Sequence, residues 1–274
     1  MTLLSVAQMN SQNDIEANFI VIESLIQQSK AQAAELIVFP DNFVRFAAGK
    51  QRETAAQFES IQQRLEQLAH RYQIWIIAGT LPCPFRPDGS IIDDGRVRTV
   101  SLCISPERTE ARYDKIHLFD VQVSDAVGGY QESKFFEPGD QVVVAKTPFG
   151  NIGLMVCYDL RFPELALILR QQGANILTAP AAFTYTTGQL HWQLLLQARA
   201  LDSQSYVLGA AQQGWHGEQR QTWGHAGITN SRGQLLEMIT VEGHGLITSS
   251  FDLAEQNDIR LAMPLMQHRK LINY

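Results

Sequence analysis

One cysteine stands where its thiol could act as a nucleophile. Cys157 is the last residue of the predicted strand "NIGLMVC" and comes shortly before "FPELALILRQQG", where Pro163 suits a first helical turn and Gly173 a helix end. On such a turn the thiol is exposed and the helix dipole stabilises its thiolate, as in a nucleophile elbow. The spacing alone favours a buried, inert cysteine, because most free cysteines are of that kind.

Three charged side chains elsewhere in the chain could assist this thiol. Lys115 interrupts the apolar, strand-like segment "ARYDKIHLF", so it either reaches solvent or pairs with an acid in a cleft. Glu132 lies in "GGYQESKFFEPG", which is either a flexible lid or a solvated loop. Asp41 follows the buried run "ELIVFP", where Pro-Asp-Asn is also ordinary turn sequence. Taken singly, each acid has a plain structural explanation.

The elements that would position these residues alternate as in α/β proteins. "LLSVAQM", "ELIVFP" and "IWIIAG" are predicted strands, and their continuous apolar runs are typical of strands covered on both faces. Asp14 caps a predicted helix with apolar residues at helical spacing, and "FESIQQRLEQLAHRY" is an amphipathic helix. The first third of the chain therefore predicts an α/β fold.

The rest of the chain continues this pattern. A Pro- and Gly-rich loop leads into the strands "VRTVSLCIS" and "ARYDKIHLF", "ANILTAP" and "QLHWQLLLQARALDSQ" are a strand and a helix, and the C-terminal third is mostly strand and turn. An apolar strand that ends in proline occurs in "ELIVFPD" and again in "ANILTAPA". Two similar sheets that face each other, with helices outside, would explain this repetition.

Composition excludes several classes of protein. We expect one domain over residues 1–274, because 274 residues with 45% hydrophobic content can bury one large core. A net charge of -6 without a basic cluster argues against nucleic acid, and no apolar run is long enough for a membrane span or a signal peptide, which predicts a cytoplasmic protein. The three cysteines and the histidines lack disulfide or metal-site spacing, so we expect no metal and no cofactor.

Four segments carry the candidate residues Asp41, Lys115, Glu132 and Cys157. In this order along the chain they resemble the carbon–nitrogen hydrolase family, which includes nitrilases and aliphatic amidases. The resemblance extends from "LLSVAQMN" to "MPLMQHRK". Within the family it is greatest for the deaminated glutathione amidase branch, with the ω-amidases next, and it is carried by "CYDLRFPELAL", "APAAFTYTTGQLHWQLLLQARALDSQSYV" and "GAAQQGWHGEQRQTWGHAG". It implies a four-layer α-β-β-α sandwich in a single domain, and a homodimer or higher oligomer formed through helices beside the active site.

The resemblance also implies a role for each chemical residue. Cys157 would be the nucleophile that attacks a primary amide of a small α-keto acid, so that ammonia leaves and a thioester forms. Lys115 and the backbone N–H of Tyr158 would stabilise the oxyanion. Glu132 would orient Lys115 and the substrate amide. The position of the general base falls on Asp41.

At that position the chain departs from the family, which has Glu. Asp41 is one methylene shorter, and three interpretations stay open: a working base with poor reach, a silent member that acts as a binding or scaffold protein, and a substitution introduced to slow turnover. If reach is the limitation, Asp41→Glu raises the rate, because about 1 Å of misplacement can cost on the order of 10²-fold.

A keto acid amide carries a carboxylate, so the cavity should present cations or hydrogen-bond donors to it. By their places in the resembling motifs, the substrate-binding candidates are Arg161, Lys134, His191 and Arg199. Arg161 ranks first among them. Arg199 has a plain alternative, because Asp202 lies three residues further along the same predicted helix and can pair with it.

Overall fold

The computed structural model describes residues 1–123, 128–218 and 220–270. Its helices are α1 (Ile15–Ala31), α2 (Gln51–Ala55), α3 (Phe58–Tyr72), α4 (Pro163–Gln171), α5 (Tyr185–Ser203), α6 (Leu253–Ala262) and α7 (Leu265–His268). Its strands are β1 (Thr2–Met9), β2 (Leu36–Val38), β3 (Trp75–Cys83), β4 (Arg98–Ile104), β5 (Thr109–Asp114), β6 (Asp120–Gln122), β7 (Gly129–Gln131), β8 (Val144–Thr147), β9 (Gly150–Leu154), β10 (Ile176–Thr178), β11 (Tyr206–Gly209), β12 (Ala211–His216), β13 (Arg220–Trp223), β14 (Gly227–Thr229), β15 (Leu235–Met238) and β16 (Gly245–Phe251).

Most strands form two mixed sheets. The first sheet has the order β13-β12-β1-β2-β3-β4-β5, with β16 paired to β1, and the second has the order β15-β14-β11-β10-β9-β8. Strands β1, β2 and β3 are parallel, and β4 and β5 each reverse direction, so β5 runs the same way as β2. In the second sheet β9, β10 and β11 are parallel. The C-terminal ends of β2 and β5 therefore lie at the same edge of the first sheet.

The two sheets pack face to face, and helices cover their outer faces. Leu4 and Val6 of β1 belong to a core shared with the strands of the second sheet and with α4 and α5. The neighbouring Ala7 belongs to a second core together with apolar residues of α1 and α3. This alternation follows from the two-residue period of a strand whose faces are both buried. The predicted four-layer α-β-β-α sandwich is confirmed.

Several predicted elements differ in their ends. The strand after "VRTVSLCIS" ends at Asp114, so Lys115 lies just beyond it rather than inside it. Strand β9 ends at Leu154, so Cys157 is not the last residue of a strand but the first of a 3-10 helix, Cys157–Arg161. In both cases the chain leaves its sheet slightly earlier than the apolar pattern predicts.

The C-terminal helix α6 was not predicted. Asp252 caps it by accepting hydrogen bonds from two backbone N–H groups, but the apolar Leu253 and Leu261 are exposed. Its buried residue is the polar Gln256, whose amide bonds to Asn175. A helix that packs through an amide lacks the apolar periodicity on which the prediction depends. No helix in the described part of the chain is both long and apolar enough to cross a membrane.

Candidate active site

The four predicted catalytic residues line one cavity of about 780 Å³. Asp41 and Lys115 follow β2 and β5 at one edge of the first sheet, and Cys157 follows β9 of the second sheet. Glu132 begins a short 3-10 helix, Glu132–Lys134, directly after β7. The cavity therefore lies where strand ends of the two facing sheets meet.

The buried Lys115 and the partly buried Glu132 form an ion pair in the wall of this cavity. The ammonium Nζ lies 2.8 Å from Oε1 and 2.6 Å from Oε2 of Glu132, and the Lys115 side chain is 3% exposed. The backbone N–H of Phe119 also donates to Glu132 Oε2, at 2.6 Å. Burial alone would lower the pKa of the Lys115 ammonium, but the charges of Glu132 and Asp41 outweigh it and raise that pKa above its ordinary value. Lys115 is therefore a fixed positive charge at neutral pH.

Asp41 is buried and held at both its side chain and its backbone. The Thr80 hydroxyl donates to its Oδ1, and the Gln212 side chain donates to its backbone carbonyl at 2.9 Å. Burial raises the pKa of the Asp41 carboxyl above its usual value, although Lys115 and the Thr80 hydrogen bond oppose the increase. A carboxylate with a raised pKa is a stronger base than a solvated one. Asp41 is thus a buried cavity acid and more than a turn residue.

The backbone at Cys157 makes the sharp turn that the sequence predicts. Its φ of 49° lies in the left-handed region, and its N–H donates to Pro180 O at 2.8 Å. A strained backbone of this kind is typical of a nucleophile elbow. The expectation that the turn stabilises the thiolate is wrong. Burial is the largest cause and the Asp41 charge the second, and together they raise the pKa of Cys157 to about 12. At rest the sulfur is a thiol and needs a base.

A buried carboxylate fastens this turn to the loop that carries Lys115. Asp159 accepts hydrogen bonds from the Val156 N–H at 2.8 Å and the Tyr113 hydroxyl at 2.7 Å, both at Oδ2. Its Oδ1 accepts from the His117 N–H at 3.2 Å. Asp159 is fully buried. The segments before and after Lys115 are thereby fixed to the residues around Cys157. Tyr158 lines the cavity, and its backbone N–H bonds to no acceptor among the described residues.

The predicted substrate-binding residues separate into two groups. Arg161 lines the cavity, with its Cζ 5.4 Å from the Phe183 ring centroid and its Nη2 3.3 Å from His191 Nδ1. His191 does not itself line the cavity within the described ranges and contacts Arg161, which does. Lys134 is exposed outside the cavity, because the 3-10 turn that brings Glu132 inward directs Lys134 to solvent.

Arg199 is also absent from the cavity lining formed by the described residues. It lies on the buried face of α5, where its Nη1 is 3.5 Å from Asp202 Oδ2. The ion pair with Asp202 that the sequence suggests is present, and neither Lys134 nor Arg199 belongs to the cavity lining that the described residues form.

Three cations that line the cavity, Arg45, Lys50 and Arg220, were not predicted. Arg220 of β13 lies between two aromatic rings, with its Cζ 4.7 Å from the Phe46 centroid and 5.1 Å from the Tyr130 centroid. Its Nη2 donates to Ala182 O at 3.4 Å, and in the described part of the chain it forms no ion pair. By contrast, the cavity residue Arg45 is paired with Glu53 at 2.7 Å. The only sequence signal for Arg220 is its place in the resembling segment "GAAQQGWHGEQRQTWGHAG".

No group of three or more His, Cys, Asp or Glu side chains among the described residues is arranged to hold a metal ion. The cavity offers a thiol, a base, a fixed ammonium and the guanidinium groups of Arg161 and Arg220, which form no ion pair with the described residues.

The carbon–nitrogen hydrolase family model matches residues 3–260. The chain is 37% identical over 273 residues to a protein of Yersinia enterocolitica named deaminated glutathione amidase, covering 98% of this chain and 93% of that protein. It is 33% identical over 281 residues to a protein of the same name from Dictyostelium discoideum, covering 99% and 94%.

Solved structures show the same fold. The Caenorhabditis elegans NitFhit protein superposes with a TM-score of 0.87 at 32% identity, covering 98% of this chain and 65% of that longer chain. Saccharomyces cerevisiae Nit3, described as a member of branch 10 of the nitrilase superfamily, gives 0.84 at 26% identity, covering 98% and 96%.

Proposed function

The chain belongs to the carbon–nitrogen hydrolase family, and from that membership we propose that it hydrolyses the amide of an α-keto acid of the deaminated glutathione type through a Cys157 thioester. The observation that carries the proposal is the single cavity in which a thiol, a buried carboxylate and a Lys–Glu pair meet. Relatives named deaminated glutathione amidase, similar over nearly their whole length, support the substrate class.

The first half of the reaction forms the thioester. Asp41 takes the proton of the Cys157 thiol as the sulfur bonds to the carbonyl carbon, and the carbonyl oxygen becomes an oxyanion. The Lys115 ammonium and the Tyr158 N–H stabilise that oxyanion. The carbon–nitrogen bond then breaks, and Asp41 returns the proton to the leaving nitrogen. Glu132 holds Lys115 in place through both carboxylate oxygens.

The second half releases the acid. Asp41 takes a proton from water as the water oxygen bonds to the thioester carbon. The carbon–sulfur bond then breaks, and the proton returns to the sulfur. The raised pKa values of both Asp41 and Cys157 suit this cycle, because the proton stays on sulfur at rest and the base is strong when substrate arrives.

Two guanidinium groups support a substrate with two carboxylates. Deaminated glutathione is a keto acid joined by an amide to cysteinylglycine, so it has a carboxylate at each end. Arg161 and Arg220 both line the cavity. We assign one carboxylate to each, since guanidinium groups bind carboxylates through paired hydrogen bonds. Both amide nitrogens of this compound carry carbon, so its leaving group is an amine, whereas a primary keto acid amide releases ammonia.

Dimer formation is part of the same proposal. Helix α5 exposes Leu190, Leu194 and Leu201, with 66%, 66% and 55% of their surface accessible. An exposed apolar stripe on a long helix is typical of a surface that packs against another subunit. A cytoplasmic location remains a prediction of the sequence.

The test compares two substrates with the same protein. Deaminated glutathione and a primary ω-amide keto acid are incubated with it, and free amine and ammonia are measured separately. We expect the parent protein to hydrolyse at least one of the two substrates and to show an acyl adduct on Cys157 by mass spectrometry. We expect Cys157→Ser to lose this hydrolysis. Arg220→Gln should raise KM for deaminated glutathione about 10-fold or more, as expected when a charged hydrogen-bond partner is lost, and raise it less for a neutral amide.

Absence of turnover with both substrates, in a protein whose circular dichroism shows it folded, would overturn the proposal. It would favour the silent-member interpretation of Asp41.

A further inference from the structure

Strand β3 departs from regular pairing next to Asp41. Its register against β4 shifts between Ala78 and Leu81, so Gly79 and Thr80 form a bulge. A bulge redirects a side chain away from its regular position, and bulges are common beside active sites. Here it directs the Thr80 side chain toward the residue that follows Pro40.

Gly79 permits this approach. A Cβ at residue 79 would lie 1.9 Å from the Pro40 carbonyl oxygen, which is far inside any van der Waals contact. Only glycine lets the end of β2 lie this close to the bulge. The sequence Gly79–Thr80 therefore brings the segment of Asp41 within hydrogen-bond reach of a hydroxyl.

The direction of the hydrogen bonds at Thr80 follows from counting protons. The Asn42 N–H can only donate, and it donates to Thr80 Oγ1 at 2.9 Å. The single hydroxyl proton of Thr80 then goes to Asp41 Oδ1. Thr80 is 1% exposed, so no bulk water competes for these positions. Oδ1 of Asp41 thus accepts this bond, whereas Oδ2 accepts none from the described residues and is the oxygen free for other partners.

We propose that Thr80 is the positioning residue for Asp41: its hydroxyl holds Oδ1 as a permanent acceptor, so that Oδ2 is the oxygen that exchanges the proton with Cys157. The inference rests on the proposed function, in which Asp41 is the base. The thiol proton moves to Oδ2, the sulfur electron pair forms the bond to the carbonyl carbon, and the same Oδ2 proton goes to the leaving nitrogen.

This arrangement explains how a shorter acid can serve. With Asp41 fixed by Thr80 at the carboxylate and by Gln212 at the backbone, the site is built around an aspartate. A glutamate would carry its carboxylate one methylene beyond Thr80 and lose that bond. We therefore expect no gain from Asp41→Glu, in contrast to the gain that the sequence alone predicts.

The experiment compares Thr80→Val, which keeps the shape and removes the hydroxyl, with Thr80→Ser, which keeps the hydroxyl. Thr229→Val is the matched control, because Thr229 is a fully buried strand threonine whose hydroxyl has no partner in the described residues. We expect Thr80→Val to lower kcat about 10- to 10²-fold with little change in KM, as misplacement by about 1 Å does. Thr80→Ser should stay within about 3-fold of the parent, and Thr229→Val should be unchanged.

The pH profile separates positioning from a structural role. Loss of the Thr80 hydrogen bond destabilises the ionised carboxylate, so the pKa of Asp41 rises and the acid limb of kcat/KM moves to higher pH in Thr80→Val. In an Asp41→Glu background, Thr80→Val should cost less than about 2-fold, because the contact is already lost. An unshifted acid limb, or an equal cost in both backgrounds, would overturn the inference.

The inference can fail separately from the proposed function. Alkylation of Cys157 by iodoacetamide needs no turnover, and its rate at a fixed pH depends on Asp41 as the acceptor of the thiol proton. If the parent protein hydrolyses nothing, the proposed function fails, but slower alkylation in Thr80→Val, with Thr229→Val and Thr80→Ser unchanged, would still establish the contact. An unchanged alkylation rate in Thr80→Val would remove Thr80 from the site.

Discussion

The two sheets contribute different kinds of groups to the cavity. The first sheet supplies the charged side chains of Asp41 and Lys115, and the second supplies Cys157, whose backbone N–H donates to the Pro180 carbonyl oxygen. The contrast is visible in the repeated strand ending, since proline is followed by Asp41 in one sheet and by Ala181 in the other. Catalytic rate should therefore depend mainly on side-chain identity at the edge of the first sheet, and mainly on the course of the backbone at the edge of the second.

The largest expected effect is at the charged edge. Lys115→Ala should lower kcat/KM by about 10²–10³-fold, since removal of one oxyanion donor typically costs that much. Lys115→Arg should fail nearly as badly, because a planar guanidinium does not replace a point charge held by both oxygens of Glu132. The measurement is product release at saturating and limiting substrate.

The exposed Lys146 is the control for this change. It is also a lysine near the end of a strand, β8, but it lies outside the cavity wall that the described residues form. Lys146→Ala should leave the rate unchanged. A similar loss in both variants would mean that Lys115 acts through overall charge or folding.

A smaller effect distinguishes the thiols of the two sheets. Cys157 lines the cavity, whereas Cys83 and Cys103 are fully buried in strands of the first sheet. Iodoacetamide should label Cys157 at least about 10-fold faster, through access rather than acidity, because burial also raises the pKa of Cys103 to about 12.

The pH dependence of this labelling carries its own check. A thiol with its pKa raised to about 12 gains thiolate continuously as pH increases, so labelling of Cys157 should still be rising at pH 10 instead of levelling near 8.5. Peptide mapping gives the rate at each site. Faster modification of Cys83 would contradict the assignment of the nucleophile.

The smallest effect is expected at the backbone edge. Pro180 contributes its carbonyl oxygen to the Cys157 N–H at 2.8 Å, and alanine keeps that oxygen. Pro180→Ala should therefore change kcat/KM by less than about 5-fold while lowering the melting temperature, because the unfolded chain gains freedom. A loss as large as that of Lys115→Ala would show that the contrast between the edges is wrong.

The sequence was most informative where local pattern and family resemblance agree. Cys157 and Lys115 come at or near the ends of strands that apolar runs predict, Glu132 was identified by the resemblance, and the structure brings the three together. Lys134 lies outside the cavity lining that the described residues form, because the 3-10 turn Glu132–Lys134 decides which of its side chains faces inward. The helical spacing of α5 could not show on which face Arg199 lies.

Other features depend on contacts between distant segments. The raised pKa of Cys157 comes from burial and from Asp41, which belongs to the opposite sheet. Arg220 reaches the cavity because β13 lies at the edge of the first sheet beside β12. Thr80 acts on Asp41 only because a bulge redirects it. Each of these contacts joins residues that are far apart in sequence. No regular spacing of residue types marks such a contact, so local sequence patterns cannot predict it.

The origin of the cavity in two separate sheets has a consequence for how the protein acquires activity as it folds. The parallel strands β1–β3 and β9–β11 are each joined by helices, so these two halves of the site can form much of their secondary structure from contacts nearer in sequence, before β12 and β16 pair with β1. The base and the nucleophile meet only after the two halves have docked. During refolding, helical signal should therefore return before hydrolysis, and recovered turnover marks the completion of long-range assembly.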